Sequence, residues 1–340
     1  MNTKLVTPPE GFTVRPATID DVPACTELFN LWAEDALGYK DVTEEEIRNS
    51  FKSPGYTPEK NAHLAFTESG TLVGFGEAWT HGETPIRPWL WVRVHPDYQN
   101  LGLGTYLTQW SEILASQVLD RLPDHLRVCY ELGTDGRVEA AKELFEDLGY
   151  NYYRSYYQMR IEMDSPPPAP RWPDDLVLKP FDVERDLEAV YLADVDCFKD
   201  HHGYIDEPFE DDFPRFRHHF VETKNYDPTL WFVAWDGDQI AGINICRPYS
   251  HEDENMGWVS SLGVRRPWRK KGLALALLHH SFGEFYRRGK TKVGLGVDSG
   301  SLTGALNLYK KAGMSIYSQF DKYAKEIRAG EEISLQSIEE

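Results

Sequence analysis

The sequence predicts an α+β protein of two related domains, each with a mixed sheet covered by helices. Two features carry this prediction: both halves of the 340-residue chain repeat the same order of patterns, and a proline-rich segment separates them. The length fits about two domains of roughly 150 residues each. Hydrophobic residues form 41% and aromatic residues 13% of the chain, which suffices for two packed cores.

The repeat begins with Val14-Arg15-Pro16 in the first half and Leu178-Lys179-Pro180 in the second. Each is followed by an acidic amphipathic helix, a strand pair with a tight turn, a strand that enters a glycine-rich turn and a long helix, and a last strand–helix unit that stops at glycine. A hairpin combined with strand–helix–strand units is typical of a mixed sheet. Matching glycines lie 164 to 170 residues apart: Gly74 and Gly242, Gly102 and Gly272, and Gly149 and Gly313.

The segment from Ser165 to Pro173 contains five prolines. It cannot continue a helix or a central strand, so we expect an extended connector. The predicted organisation is a first domain at residues 1–163, a linker at 164–175, a second domain at 176–328 and a polar, acidic tail at 329–340.

Charge and composition exclude several classes of function. The formal net charge of −19 repels phosphate backbones, so we expect no nucleic-acid partner, whereas a cationic amine is compatible with it. No run of 18 apolar residues occurs, and the start lacks the pattern of a signal peptide, so we expect no membrane span. The four cysteines form no CxxC pair, and His201-His202 and His218-His219 lack a third ligand. We therefore expect a cytoplasmic protein without a metal site, and the sequence does not fix its oligomeric state.

The glycine-rich turn of the second half follows a strand that ends at Val264. A helix is predicted to begin near Lys270 or Lys271 and to run to about Arg288. The first turn of a helix offers unpaired N–H groups and a positive dipole end, which suit a phosphate. Arg269 adds positive charge here, together with the two lysines, and Gly272 removes a side chain where a ligand would approach.

The first half has the same turn at Gln99 to Thr105, but without a lysine or arginine in it. An anion would rest there on backbone N–H groups alone. A short glycine motif is equally typical of a strand-to-helix turn that needs glycine only for packing.

Gln-x-x-Gly-x-Gly at residues 99–104 and Arg-x-x-Gly-x-Ala at 269–274 resemble the acyl-CoA signature of the GCN5-related N-acetyltransferases (GNAT). The stretch from Val297 to Gly313, with Leu-Tyr-x-x-x-Gly at its end, is similar to the last motif of that family. The resemblance covers nearly the whole chain outside the linker and the tail. It implies two tandem GNAT-type acyl-CoA N-acyltransferase domains, as in the tandem members of the family, the mycothiol synthases among them.

The resemblance implies acetyl-CoA, or another acyl-CoA, as the cofactor. Its pantetheine arm would pair with the strand before each signature, and its pyrophosphate would lie on the amides of each turn. The cofactor-binding residues implied in the second half are Leu262, Gly263, Val264, Arg269, Lys270, Lys271, Gly272, Leu273 and Ala274. Those in the first half are Val92, Arg93, Val94, Gln99, Asn100, Leu101, Gly102, Leu103, Gly104 and Thr105, with Trp91 preceding them.

The resemblance also implies an N-acetyltransferase in which a primary amine, on a small molecule or a peptide, attacks the thioester directly. Tyr309 stands where the family places the proton donor to the leaving thiolate, although it also fits a core aromatic residue. The first half has Phe145 at that place, so we expect a catalytic second domain and a degenerate first domain, either acyl-CoA-binding or structural.

The general base is less clearly marked. The strand before the second signature, Trp258 to Val264, carries no ionisable side chain. Three acids precede it (Glu252, Asp253, Glu254), of which Glu254 ranks first, and Asp298 ends the next strand. A chain of waters is an alternative. The missing carboxylate also leaves open a second function, that of a non-catalytic acyl-CoA-binding or sensing protein.

Overall fold

The computed structural model describes residues 7–337, which form strands and helices in the predicted order. Short polar residues start several of the helices: Thr43 and Glu46 form a capping box on the second one. The elements of the first half are β1 (Phe12–Pro16), α1 (Val22–Ala36), α2 (Glu44–Phe51), α3 (Pro58–Asn61), β2 (Ala62–Thr67), β3 (Leu72–Trp79), β4 (Trp89–Val94), α4 (Leu103–Ala115), β5 (Val128–Asp135), α5 (Glu139–Asp147) and β6 (Asn151–Glu162).

The second half repeats this order after the proline-rich segment, which has no helix or strand. Asp182 caps its first helix by accepting from the backbone N–H groups of Glu184 and Arg185. The elements are β7 (Val177–Pro180), α6 (Val183–Phe198), α7 (Phe209–Phe220), β8 (Trp231–Asp236), β9 (Gln239–Arg247), β10 (Met256–Val264), α8 (Leu273–Arg287), β11 (Lys292–Asp298), α9 (Ala305–Lys311) and β12 (Ser315–Arg328).

The described residues form two compact units whose boundaries differ from those of the predicted domains. Unit 1 comprises residues 7–154, 207–219 and 321–333, and unit 2 comprises 155–206, 220–320 and 334–337. The predicted boundaries at 163 and 328 therefore do not coincide with those of the units, because strand pairing decides which unit a segment joins. Residues 155–162 of β6 pair with β11 in unit 2, and residues 321–328 of β12 lie beside β5 in unit 1.

Unit 1 has a mixed sheet in the order β1, β2, β3, β4, β5 and the end of β12. The pairs from β1 to β4 are antiparallel, and β4 runs parallel to β5. One face packs on α1, where Phe29 meets Phe75 edge-on at 4.9 Å. The other face packs on α4, because Gly74 and Gly76 leave room for Leu107.

Unit 2 has the corresponding sheet in the order β6, β11, β10, β9, β8, β7. Its single parallel pair is β10 with β11, among the pairings of the described residues. The hairpin of β8 and β9 is closed by Gly237 and Asp238, with Asp236 opposite Gln239, which agrees with the tight turn predicted for this strand pair. The core of unit 2 forms between this sheet and α8, whose buried face includes Leu277, Phe282 and Phe285.

The helix after the second signature begins later than predicted. Lys270 and Gly272 have φ angles of 61° and 90°, which are not helical, so α8 starts at Leu273 rather than at Lys270 or Lys271. The expected stops at Gly149 and Gly313 are confirmed, with φ angles of 84° and 91° directly after the last turn of their helices.

Candidate active site

The sheet of unit 2 opens between its two parallel strands. Strand β10 pairs with β11 only from Met256 to Val259, and a bulge follows between Val259 and Ser261. Beyond that point β10 keeps its pairing with β9, while β11 keeps its pairing with β6 as far as Asp298. The backbone of residues 260–264 therefore faces an opening. Buried backbone groups require partners, and an extended ligand with amide groups can supply them as an added strand.

A glycine turn lies at the end of this open edge. After Val264 the chain makes one 3-10 turn and extends at Arg269, and left-handed residues at Lys270 and Gly272 then lead into α8. No side chain caps α8, so the N–H groups of its first turn remain available. A Cβ atom on Gly272 would meet nothing within 4 Å, so the turn is open to a ligand. This geometry suits an anion.

The three cations of this turn differ in what they can do. Arg269 donates from Nε to the carbonyl of Val264 at 2.8 Å, from Nη2 to that of Cys197 at 3.2 Å, and from Nη1 to Asp200. Its guanidinium thus ties the turn to α6, and its charge is paired with that of Asp200. Lys270 and Lys271 are exposed and form no ion pair with any residue from 7 to 337. They are the two cations of the turn available to a polyanion.

Asp200 anchors this turn from the end of α6. It accepts hydrogen bonds from Arg266 and Arg269, which hold the pKa of its carboxyl down to about 2. The pairing keeps Asp200 ionised across the physiological range. The sequence predicted Arg269 as part of the anion site; in the structure its side chain holds the turn against α6, and its part in binding an anion stays a prediction.

Unit 1 has the same turn with the same backbone conformation. Asn100 and Gly102 have φ angles of 60° and 83°, close to those of their counterparts in unit 2, and α4 begins at Leu103. Two differences set it apart. A Cβ atom on Gly102 would lie 3.4 Å from Pro9, so the outside of the turn is partly covered, and Gly104 leaves room for Leu144 of α5.

Tyr309 and Phe145 occupy equivalent positions at the ends of α9 and α5. In each, the backbone carbonyl accepts from the residue after the terminal glycine, Met314 at 3.0 Å and Tyr150 at 2.9 Å. Tyr309 is 7% exposed and packs in the core of unit 2. Burial raises its pKa to about 12, and its hydroxyl makes no hydrogen bond to a described residue. It is therefore protonated at neutral pH and able to donate.

Both halves match known acetyltransferase families. Residues 187–314 match the acetyltransferase (GNAT) family, and residues 59–152 match an acetyltransferase (GNAT) domain. The crystal structure of a GCN5-related N-acetyltransferase from Sphaerobacter thermophilus is 31% identical to the chain, with a TM-score of 0.76, and the match covers 98% of this chain and 100% of that one. The chain belongs to the GNAT family. It is an acetyl-CoA-dependent N-acetyltransferase with two GNAT domains, which confirms the predicted fold, reaction type and cofactor.

Other similar proteins also have two GNAT domains or carry acetyltransferase names. A tandem GNAT protein from the clavulanic acid biosynthesis pathway shares the fold, with a TM-score of 0.69 at 13% identity over 94% of this chain and all of that one. The mycothiol acetyltransferase of Geodermatophilus obscurus is 26% identical over 294 residues, or 83% of this chain and 87% of its own length. That of Thermobispora bispora is 28% identical over 225 residues, 65% of this chain and 70% of its own length.

The predicted base of this GNAT protein, Glu254, lies apart from the opening. It is exposed before the start of β10, and its backbone carbonyl accepts from Lys290. Six residues separate it from the bulge, up to roughly 20 Å of extended chain. Of its two neighbours, Glu252 accepts from the hydroxyl of Tyr317 at 3.1 Å and Asp253 pairs with Lys292 at 3.0 Å. The structure does not bring Glu254 to the open edge.

The sequence did not reveal a carboxylate that does lie at the opening, Asp194 of α6. It accepts a hydrogen bond of 2.5 Å from the hydroxyl of Ser261, directly after the bulge. Helix α6 packs closely here, because a Cβ on Gly263 would lie 2.5 Å from the Cβ of Cys197. Asp196 on the same helix pairs with Arg265 instead. The sequence showed an acidic helix, but not which of its acids faces the strand.

Two further groups lie near the far end of the opening. Asp298 ends β11, and the field of its carboxylate reaches His201, which follows α6. Burial nevertheless lowers the pKa of His201, so its imidazole is neutral at physiological pH. With Asp194 they make this face of the opening acidic and proton-accepting.

No three or more His, Cys, Asp or Glu side chains within 7–337 are arranged to hold a metal ion. No helix in this range is long and apolar enough to cross a membrane.

Proposed function

We propose that unit 2 carries the acetyl transfer and that the acceptor is a primary amine on a small molecule. The observation that supports this proposal is that three features occur together in unit 2: an open strand edge, an unobstructed glycine turn and the free hydroxyl of Tyr309. Unit 1 has the same turn, but Pro9 partly covers it and Phe145 replaces the tyrosine.

In this proposal acetyl-CoA binds along residues 262–264 and on the turn at 269–274. The amides of Leu262 to Val264 pair with the pantetheine arm, the first-turn amides of α8 hold the pyrophosphate, and Lys270 and Lys271 add charge. Unit 1 keeps the equivalent backbone at residues 92–94 and 99–105, so it holds acyl-CoA without turnover.

When bound, acetyl-CoA supplies a thioester carbon that a neutral amine attacks. Tyr309 then donates its hydroxyl proton to the sulfur as the carbon–sulfur bond breaks. Asp194 takes the proton that the amine must lose, and Ser261 fixes the orientation of its carboxylate. Proximity of the two reactants contributes the larger part of the acceleration, because the open edge holds the thioester in one place.

The amine class follows from charge and from relatives. A carboxylate next to the open edge favours a cationic acceptor, and Asp298 adds a second at its far end. The named relatives are mycothiol acetyltransferases, which supports a small molecule over a peptide.

The test is CoA release by the full chain from acetyl-CoA with a panel of amines, including amino sugars, polyamines and peptides. Tyr309→Phe and Asp194→Asn should each lower kcat about a hundredfold, the scale of general acid–base catalysis. Tyr286→Phe and Asp196→Asn, matched changes in the same unit, should keep the rate within a few-fold. Glu254→Gln distinguishes the two candidate bases, because its rate falls only if Glu254, and not Asp194, accepts the proton of the amine.

Equal loss in the matched controls, or full activity of Tyr309→Phe, would contradict the assignment. A slow Glu254→Gln beside an active Asp194→Asn would move the base to the loop before β10. Binding of acetyl-CoA without CoA release from any amine would refute catalysis by unit 2.

A further inference from the structure

Unit 1 contains a buried arginine that the acetyl transfer does not use. Arg93 of β4 is 7% exposed. Its guanidinium carbon lies 3.8 Å from the ring centre of Trp32 and 3.7 Å from that of Trp91. The two indole rings cover the faces of the guanidinium and stabilise its charge. Only its edge, where the N–H groups point, remains for a further partner.

The edge of this guanidinium is almost unused. Among the described residues, Arg93 donates a single hydrogen bond, from Nη1 to the carbonyl of Val92 at 2.9 Å, although arginine has five donors. It forms no ion pair within residues 7–337. Burial lowers its pKa to about 9, so it still carries its charge at neutral pH. None of its nitrogen atoms is among the fully buried polar atoms that lack a partner, so its remaining N–H groups reach the surface, where an anion can meet them.

Neighbouring acids do not fill this place. Glu77 of β3 is buried, and its two carboxylate oxygens accept from the hydroxyl of Tyr56 at 2.6 Å and the indole N–H of Trp79 at 2.7 Å. Glu77 and Asp41 act on Arg93 only through their fields. Their fields make the surroundings unfavourable for a polyanion, but neither carboxylate forms a hydrogen bond or ion pair with the edge of the Arg93 guanidinium.

Arg93 also points away from the glycine turn. Phe75 stands opposite Arg93 in the β3–β4 pair and packs on α1, whereas its neighbours Gly74 and Gly76 face α4. The side chain of Arg93 therefore lies on the α1 face, while the turn at Gln99 to Thr105 leads into α4 on the other face. An anion held by Arg93 is distinct from the pyrophosphate of acyl-CoA.

Unit 2 has no counterpart of this arrangement. Val94 pairs with Gly74 and Val264 with Gly242, so Gly263 stands where unit 1 has Arg93. Cys197 fills the space beside Gly263. The arginine and its two tryptophans are thus a property of unit 1 alone within the described chain.

We propose that Arg93, held between Trp32 and Trp91, is the binding site of a small monocarboxylate in unit 1. The guanidinium edge matches a carboxylate in two parallel hydrogen bonds, and the indole rings hold the plane in which those bonds form. The site is independent of the reaction in unit 2 and assigns a ligand-binding role to the half that lacks the catalytic tyrosine.

Saturation-transfer NMR with benzoate tests this site in the full chain, at constant ionic strength with chloride as the competing anion. We expect saturable, millimolar binding that Arg93→Gln weakens at least about tenfold. Arg15→Gln is the matched control, because Arg15 also lies over an aromatic ring, that of Phe66, but pairs with Asp21. Gly102→Glu, which blocks the turn on the other face, should leave benzoate binding intact.

Circular dichroism establishes that each variant is folded. If Arg93→Gln fails to fold, Arg93→Lys keeps the charge and loses the planar fork, and it should weaken benzoate binding several-fold. Unsaturable binding to the unmodified chain, or an affinity unchanged in both Arg93 variants, would overturn the proposal. The same holds if Arg15→Gln or Gly102→Glu weakens benzoate as much as Arg93→Gln.

Discussion

At the scale of single residues, the two halves of this GNAT protein differ in the hydroxyl group of one tyrosine, Tyr309, which has a phenylalanine as its counterpart in unit 1. Tyr309 and Phe145 occupy the same position at the end of their helices, and both are buried in the cores of their units. A phenylalanine packs as well as a tyrosine but cannot donate a proton. Tyr309 makes no hydrogen bond to a described residue through its hydroxyl and stays protonated at neutral pH, so its proton is available in unit 2.

Tyr309→Phe should therefore separate chemistry from stability. The variant loses about a hundredfold in kcat, whereas its free energy of unfolding is nearly unchanged, because the hydroxyl makes no hydrogen bond to a described residue that the change would remove. With a pKa of about 12, Tyr309 stays protonated as the pH rises, so the rate of the unmodified enzyme has no alkaline limb from this residue below pH 11. Stopped-flow CoA release across pH and urea unfolding check both statements. A falling limb near pH 8 that vanishes in Tyr309→Phe would refute the assigned pKa.

Glu77 gives unit 1 a pH-dependent stability. Its folded pKa is raised from 4.5 to about 7, mainly by burial, with Tyr56, Trp79 and Arg93 lowering it again. A raised folded pKa means that the unfolded chain releases the proton first, so the contribution of Glu77 to stability is greatest below pH 4.5 and is lost as the pH rises through about 7. The loss is about 3 kcal/mol at most. Urea unfolding at both ends of this window should show the loss. Cys25, a further titratable neighbour, stays a neutral thiol because burial raises its pKa to about 12.

The change that isolates this contribution is Glu77→Gln, which cannot ionise. Its stability should vary less with pH across that window than that of the unmodified chain. A Glu45→Gln variant, a change in the same unit outside this cluster, should keep the full pH dependence. If the free energy of unfolding of Glu77→Gln and that of the unmodified chain changed equally with pH, groups other than Glu77 would cause the pH dependence.

At the scale of elements, the sequence predicted those parts of the fold that depend on local order. Both glycine turns form where the sequence predicted them, because glycine and asparagine tolerate a left-handed backbone. The start of α8 was predicted two to three residues early, since Lys270 is left-handed despite its side chain. Asp194 was missed for a different reason: a repeated acidic pattern on a helix does not tell which carboxylate meets a distant strand.

The two glycine turns give a matched pair for measuring acyl-CoA binding by each unit. Gly272→Glu places bulk and negative charge on the open turn of unit 2 and should abolish acetyl-CoA binding there and CoA release with it. Gly102→Glu does the same on the covered turn of unit 1 and should remove at most one binding equivalent while leaving turnover. Isothermal titration of acetyl-CoA counts the equivalents. Loss of turnover in Gly102→Glu with retention in Gly272→Glu would reverse the roles of the two units.

At the scale of the whole molecule, neither half of the sequence encodes a complete unit. Residues 321–333, at the far end of the chain, belong to unit 1. Tyr323 is 3% exposed in its core beside Phe145, Lys325 pairs with Glu112 at 2.8 Å, and Glu326 pairs with Arg127 at 2.7 Å. The sequence suggested two consecutive domains because a repeat fixes the order of elements, but not which sheet receives a terminal strand.

A fragment of residues 1–163 should therefore not fold by itself. It lacks the strand next to β5, and the loss of Tyr323 alone removes about 3 kcal/mol, a large part of the stability of a domain of this size. Adding a peptide of residues 315–333 should restore a cooperative urea transition, whereas the same peptide with Tyr323→Ala should restore less. The transition is followed by circular dichroism at several peptide concentrations. A cooperative transition of the fragment alone, unaffected by the peptide, would show that unit 1 does not need its distant strand.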